Sequence, residues 1–198
     1  MAADLRYSAG EHMSTLITRK LFTVSDVEQM EKAGILGEDD RLELIHGEIL
    51  AMSPTGSLHA AAVARATHTL VKLVGVKAIV WIQSSTQLSK YTAPQPDVAL
   101  LKPRDNFYAP KLPQPQDALL YIEVADSSLK YDRDFKTELY AEAGIPEYWI
   151  ADIQNDRLLV YSDPHGKTYR ASRQLQRGER IAPQLLPDCE VTADDLLP

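Results

Sequence analysis

The chain reads as an α/β (α+β) domain: a mixed central sheet flanked by helices, with β-hairpins toward its N-terminal and C-terminal ends. Three observations predict this. Apolar runs of strand length are interspersed with three helical segments, which selects a layered arrangement of sheet and helix. Turn clusters at His46-Gly47 and Gln154-Asn155-Asp156 fold neighbouring strands back on themselves. A helical segment from Asp132 lies between two apolar strands, the natural place for a crossover connection.

Taken in order, residues 1–21 have no convincing period and read as an arm. Thr23, early acids and Gly34 bracket a short helix with Val27 and Met30 inward. Residues 41–52 form two strands about His46-Gly47, with Leu42 and Leu44 on one side of the first strand and Glu43 on the other. Ser57 caps a second helix ending at Gly75, whose inner positions His59, Val63, Ala66, Leu70 and Leu73 recur every three or four residues. Residues 78–82, 86–91 and 97–101 follow as strands, the last introduced by Pro94 and Pro96, which suit a strand's beginning because proline lacks an amide hydrogen. Residues 102–117, with four prolines, form a long loop of the kind that is usually functional or mobile. Strands at 119–125 and 147–153 flank the helix from Asp132. Residues 157–161 pair back across a turn, Asp163-Pro164-His165-Gly166 turns again, and short strands complete the chain.

The totals limit the function classes. At 198 residues the chain suits one domain, residues 1–198, with one sizeable core, and 44% hydrophobic with 25% charged residues is ordinary globular composition. Residues 70–82 are broken by Lys72, Gly75 and Lys77, so no apolar run spans a bilayer and no membrane partner is expected. The N-terminus lacks a secretory pattern, and Cys189, the single cysteine, has no disulfide partner; both fit the cytoplasm. The net charge of −7 counts against a general nucleic-acid binder. Residues 26–48 carry eight acids against two basic residues, whereas residues 167–180 carry five basic residues against one acid. That basic strip, with Arg170, Arg173 and Arg177, is the candidate for contacts to a nucleic-acid backbone, and a plain solvated face is its alternative.

The chemistry concentrates between residues 119 and 152. Glu123 interrupts the strand Leu119-Leu120-Tyr121-Ile122 before Val124-Ala125, and a buried carboxylate costs several kcal/mol unless it is paired or binds a metal. If it stands uncompensated, Glu123→Ala leaves the fold intact or firmer. Asp132, Lys136 and Tyr140 at i, i+4 and i+8 share one helix face.

The motifs extend beyond this stretch: Arg41-Leu42-Glu43-Leu44-Ile45, Gly47-Glu48-Ile49, Ser53-Pro54, His59, Pro96-Asp97-Val98-Ala99, Ile122-Glu123-Val124, Asp132 with Lys136 and Tyr140, and the run from Gly144 through Pro146-Glu147-Tyr148-Trp149 to Asp152. In that order they resemble the Uma-two family of restriction-endonuclease-like proteins, within the PD-(D/E)xK nuclease superfamily, over most of the chain. The resemblance implies a restriction-endonuclease-like fold and an endonuclease acting on DNA with Mg2+, for which Mn2+ substitutes. It implies Asp97 and Glu123 as metal ligands, Lys136 and Glu43 as catalytic partners, and His59 as an accessory residue. Apart from the resemblance, the apolar surface of the terminal strands suits a homodimer, above all for a non-catalytic assembly module. The lysine that the superfamily places two residues after the second acid is Ala125 here, and the family's helical lysine maps to Lys136.

Such residues suit phosphodiester hydrolysis. Two carboxylates hold a magnesium ion that generates hydroxide and neutralises growing charge, and a lysine orients or deprotonates the water. Each has a structural alternative. Glu123 can pair with a buried cation, Asp97 can cap a turn, Asp132 with Lys136 can be an exposed ion pair, and His59 can be a satisfied buried histidine. Tyr140, Tyr148 and Trp149 read as core. The missing lysine at Ala125 and the acidic net charge also admit a catalytically inactive binding or assembly module on the nuclease fold; a metallophosphatase, lacking histidine clusters, ranks behind both.

Overall fold

The computed structural model describes residues 19–37, 40–54 and 56–198, so most of the expected arm, residues 1–18, lies outside the described residues. A six-stranded sheet is built from β3 (Ile79–Ile82), β4 (Val98–Leu101), β5 (Ala118–Ala125), β6 (Glu147–Asp152), β7 (Arg157–His165) and β8 (Thr168–Gln176), adjacent in that order. Only β5 and β6 run parallel, with Glu123 opposite Ile150. Their crossover is a π-helical turn, Tyr131–Lys136, that runs into α3 (Thr137–Glu142). All other neighbours in the sheet are antiparallel.

Strand alternation sorts the sheet into two faces. Leu100, Leu120, Ile122, Val124, Trp149 and Ala151 pack with Ala62, Val63, Ala66 and Leu70 of α2 (Ser57–Val74) and with the C-terminal Val191, Leu196 and Leu197. Ala99, Tyr121, Ala125, Tyr148 and Ile150 face the other way, toward Tyr140 and Ile145. Small residues in the first turns of α2 let it lie close to the sheet, as the sequence predicts.

The N-terminal elements stand beside this sheet. Thr23 caps α1 (Val24–Lys32) through a reciprocal pair of hydrogen bonds with Asp26. The separate hairpin β1 (Leu42–Ile45) and β2 (Glu48–Ala51) turns through His46 and Gly47, both at positive φ, 50° and 81°. Gly47 is required twice over, since a Cβ there would stand 2.6 Å from Leu21 Cβ. Leu44 packs with Val24 and Ala93, so Glu43 points the opposite way. A short pair, β9 (Arg180–Ile181) and β10 (Val191–Thr192), closes the chain.

Four expectations about elements are corrected. Residues 86–91 form no strand. Their amides are taken by loop carbonyls, Thr86 N by Pro94 and Gln87 N by Pro113, leaving isolated bridges at Leu44–Ala93 and Ser89–Thr92. Gly56, not Ser57, occupies the cap of α2, and no side chain bonds there. β7 continues through Asp163, at φ 60°, and Pro164 to His165 in unbroken register with β8, which moves the turn to Gly166-Lys167. The crossover begins as a π-helical turn where a regular α-helix is expected.

Candidate active site

Five segments converge on a cleft of about 560 Å3 between the β1–β2 hairpin, the start of α2, the β4–β5 pair and the π-helical turn. Glu123 projects from the middle of β5 onto the face away from α2. Asp97 immediately precedes β4, beside it across the antiparallel ladder. The Asp97 amide donates to Glu123 Oε2 at 3.1 Å, and the Val124 amide donates to Asp97 Oδ2 at 2.9 Å, so the two carboxylates are locked together by the ladder itself.

Lys136 enters from the π-helical turn. Its Nζ donates to Glu123 Oε1 at 2.7 Å and to Glu43 Oε1 at 3.0 Å, and it is only 2% exposed. Tyr140, one turn on, donates its hydroxyl to the same Glu123 Oε1 at 2.7 Å. The ammonium thus comes from the helical turn, while Ala125, where the superfamily pattern places a lysine, is packed in the aromatic core of that face. Glu123 is thus compensated, which overturns the expectation of an unpaired buried charge. Glu43 also accepts the Gln95 amide at 2.9 Å, while its Oε2 is buried without a partner among the described residues. His59, in the first turn of α2, contacts Asp97 Oδ2 through Nε2 at 3.0 Å, and its buried Nδ1 has no partner among the described residues. Gln83 completes the shell of Asp97 at 3.1 Å.

Asp132 was legible only as half of a helix ion pair. It is 4% exposed, lines the cleft and accepts from the Ser128 hydroxyl. Its backbone carbonyl accepts from Tyr148 and Thr137, groups drawn in where the π-helical turn widens. The i, i+4, i+8 spacing with Lys136 and Tyr140 was the signal that it shares their face.

Three carboxylates, Glu43, Glu123 and Asp132, thus act on one ammonium, and Asp97 lies beside Glu123. Burial pushes Glu123 well above the usual carboxylate range against the pull of Lys136, with Asp97, Asp132 and Glu43 adding to the rise. Burial likewise pushes Asp132 up to about 6. Asp97 behaves oppositely: burial raises it, but His59, the Val124 amide and Gln83 outweigh that and hold it below its ordinary value. For Lys136 burial works downward, yet Glu123, Glu43 and Asp132 outweigh it and keep the group above the usual lysine range. Lys136 is accordingly a donor and a fixed positive charge at neutral pH.

The donor set fits a hard divalent cation. Asp97 and Glu123 offer carboxylate oxygens on adjacent strands, and the unsatisfied Glu43 Oε2 adds negative charge at the same cleft. Among the described residues no three His, Cys, Asp or Glu side chains gather at ligating distance of one point. Two carboxylates with water and substrate oxygens would complete the shell, as magnesium commonly requires.

The structure does not bring Arg170, Arg173 and Arg177 to this cleft. They belong to β8 and the turn after it, and β8 lies three strands from β5, roughly 14 Å by strand spacing. Arg177 is engaged with Asp156 at 2.7 Å and Asp194 at 3.2 Å, and Arg170 with His165 at 2.9 Å. No helix among the described residues is long and apolar enough to cross a membrane.

The fold has a solved counterpart, the crystal structure of "a putative nuclease belonging to DUF820" from Anabaena variabilis ATCC 29413. It matches with a TM-score of 0.66 at 15% identity, over 88% of this chain and 97% of that one, a likeness of fold. No curated protein matches the chain. The family model described as "Uma2: Putative restriction endonuclease" matches residues 24–194, through every element that builds the cleft, and the chain therefore belongs to the Uma2 family.

Proposed function

We propose that the protein is a metal-dependent endonuclease that hydrolyses phosphodiester bonds in DNA. The observation that carries this reading is the convergence of Asp97, Glu123, Glu43 and Lys136, drawn from four separate elements, at the floor of one cleft. Asp97 and Glu123 would hold Mg2+, for which Mn2+ would substitute. The bound ion supplies Lewis-acid activation of water and neutralises charge developing on the phosphoryl oxygens. Lys136 orients the water and offsets that charge from the side of Glu123, and its raised pKa assigns it this role instead of proton abstraction. Glu43 holds Lys136 in place from the hairpin side, and Tyr140 fixes the rotamer of Glu123. His59 steadies Asp97 through Oδ2.

The protein acts in the cytoplasm in this reading. A homodimer fits it as well, since among the described residues β8 leaves one sheet edge unpaired for a second copy.

The test is cleavage of supercoiled plasmid and of a single-stranded oligonucleotide by wild type and Glu123→Gln, each with Mg2+, Mn2+ or chelator. Metal-dependent cutting by the wild type alone is the expected result. No cutting of either DNA, together with no metal uptake by calorimetry, would leave an inactive binding or assembly module on the nuclease fold.

A further inference from the structure

The cleft does not end at its carboxylates. Past Ser127 and Ser128 it adjoins a second, shallower hollow of about 440 Å3, and Tyr131 lines both. On the far side Tyr131 is stacked on Phe135, with ring centroids 5.0 Å apart and planes 23° from parallel. Both rings are partly exposed, and neither belongs to the hydrophobic clusters of the fold. Lys130, exposed at the edge of the same hollow, forms no ion pair among the described residues.

A stacked aromatic pair beside a lysine, continuous with a phosphodiester site, has the makings of a surface for bases with their backbone alongside. A base inside a duplex already has both faces covered and must leave the stack to use such a platform. The depth of the site points the same way. Glu43, Asp97, Glu123 and Lys136 are each at most 7% exposed, so the backbone has to bend into the cleft to reach them. An unpaired strand does this more readily than a stiff duplex.

We propose that the Tyr131–Phe135 stack is the platform for one unpaired base beside the scissile phosphodiester, and that the preferred substrate is single-stranded DNA, including frayed or extruded segments of a duplex. This inference rests on the nuclease reading above. Tyr131 also carries a buried hydroxyl without a partner among the described residues, so Tyr131→Phe keeps the ring and removes only that group.

The experiment follows a labelled oligonucleotide, single-stranded or annealed to its complement, with wild type, Tyr131→Phe and Tyr131→Ala in Mg2+ or Mn2+. Cleavage and binding by fluorescence anisotropy are both read. The wild type and Tyr131→Phe are expected to prefer the single strand by about tenfold, and Tyr131→Ala to lose most of that preference. Equal rates on the two substrates, or a Tyr131→Ala variant with the full preference, would overturn the platform while leaving the nuclease reading in place. If no DNA is cut, the nuclease reading falls and binding decides: about tenfold weaker single-strand binding by Tyr131→Ala supports the platform, and equal binding overturns it. Should Tyr131→Ala fail to fold, Phe135→Leu takes its place under the same criteria.

Discussion

The two faces of β5 are written in alternate residues of one strand, yet they differ in kind. Leu120, Ile122 and Val124 face α2 in a largely apolar layer, whose buried carboxylate, Glu147, is held by the Trp149 indole and the Gln184 amide. Tyr121, Glu123 and Ala125 face the crossover, where tyrosines surround a charged cluster. The first face needs only volume and shape to be stable. The second depends on every polar atom finding a partner, because each charge there has been taken out of water. The rigid apolar layer fixes the strand register, and the register fixes which carboxylates meet. The charged face can therefore be tuned for chemistry while the other carries the fold.

The sharpest way to break this division is Lys136→Met. It leaves Glu43 and Glu123 buried together without their common cation, and should cost about 3–5 kcal/mol of stability at neutral pH as well as all activity. Urea unfolding checks the first, and adding Glu123→Gln should recover part of the loss. On the apolar face, Leu120→Ala should cost about 2–5 kcal/mol by leaving a cavity. Cleavage per folded molecule should be unchanged, and a lowered kcat would mean that the two faces are not separable.

Much of this was legible in the sequence, and unevenly so. A carboxylate inside an apolar strand announced Glu123, and a proline pair announced Asp97 at a strand's start. The hairpin followed from His46-Gly47 because few residues tolerate consecutive positive φ angles. The partner of Glu123 was less plain, since nothing in local spacing says that a helical lysine returns across thirteen positions while a glutamate arrives from the hairpin. Asp132 looked like an exposed partner of Lys136, as i, i+4 spacing is the same for a solvated pair and a buried one; only the packing of Tyr148 beneath the π-helical turn decides. The strand expected at residues 86–91 failed for another reason, as its apolar and hydroxyl residues suit a strand but its amides are bound by loop carbonyls.

Asp132 sharpens the comparison at smaller scale. Its folded-state pKa, about 6, lies above the ordinary 3.8, so the folded protein holds its proton more tightly than the unfolded chain. The resulting stability is full below about pH 4 and is lost as the pH rises through 6. Asp132→Asn keeps an acceptor for Ser128 and removes the titration. It should exceed the wild type by on the order of 1 kcal/mol near pH 7.5, with the gap closing toward pH 4. Thermal melts across that range would show it, and a gap independent of pH would place the stabilisation elsewhere.

The smallest effects belong to the edge strand β8, far from the charged face. Exposed ion pairs contribute little to stability, so alanine at Arg170, Arg173 or Arg177 should leave unfolding nearly unchanged. Their value as DNA contacts is a separate quantity, read from the dependence of log affinity on log salt. Arg177 is already held by Asp156 and Asp194, whereas the Arg173 guanidinium makes no hydrogen bond or ion pair among the described residues. A phosphate would have to displace two carboxylates from the first and nothing from the second. Arg173→Ala should accordingly reduce the salt slope by about 1, with Arg177→Ala leaving it in place. If replacing all three arginines leaves the slope of duplex binding unaltered, the strip is a solvated face, and recognition is confined to the cleft and the aromatic stack beside it.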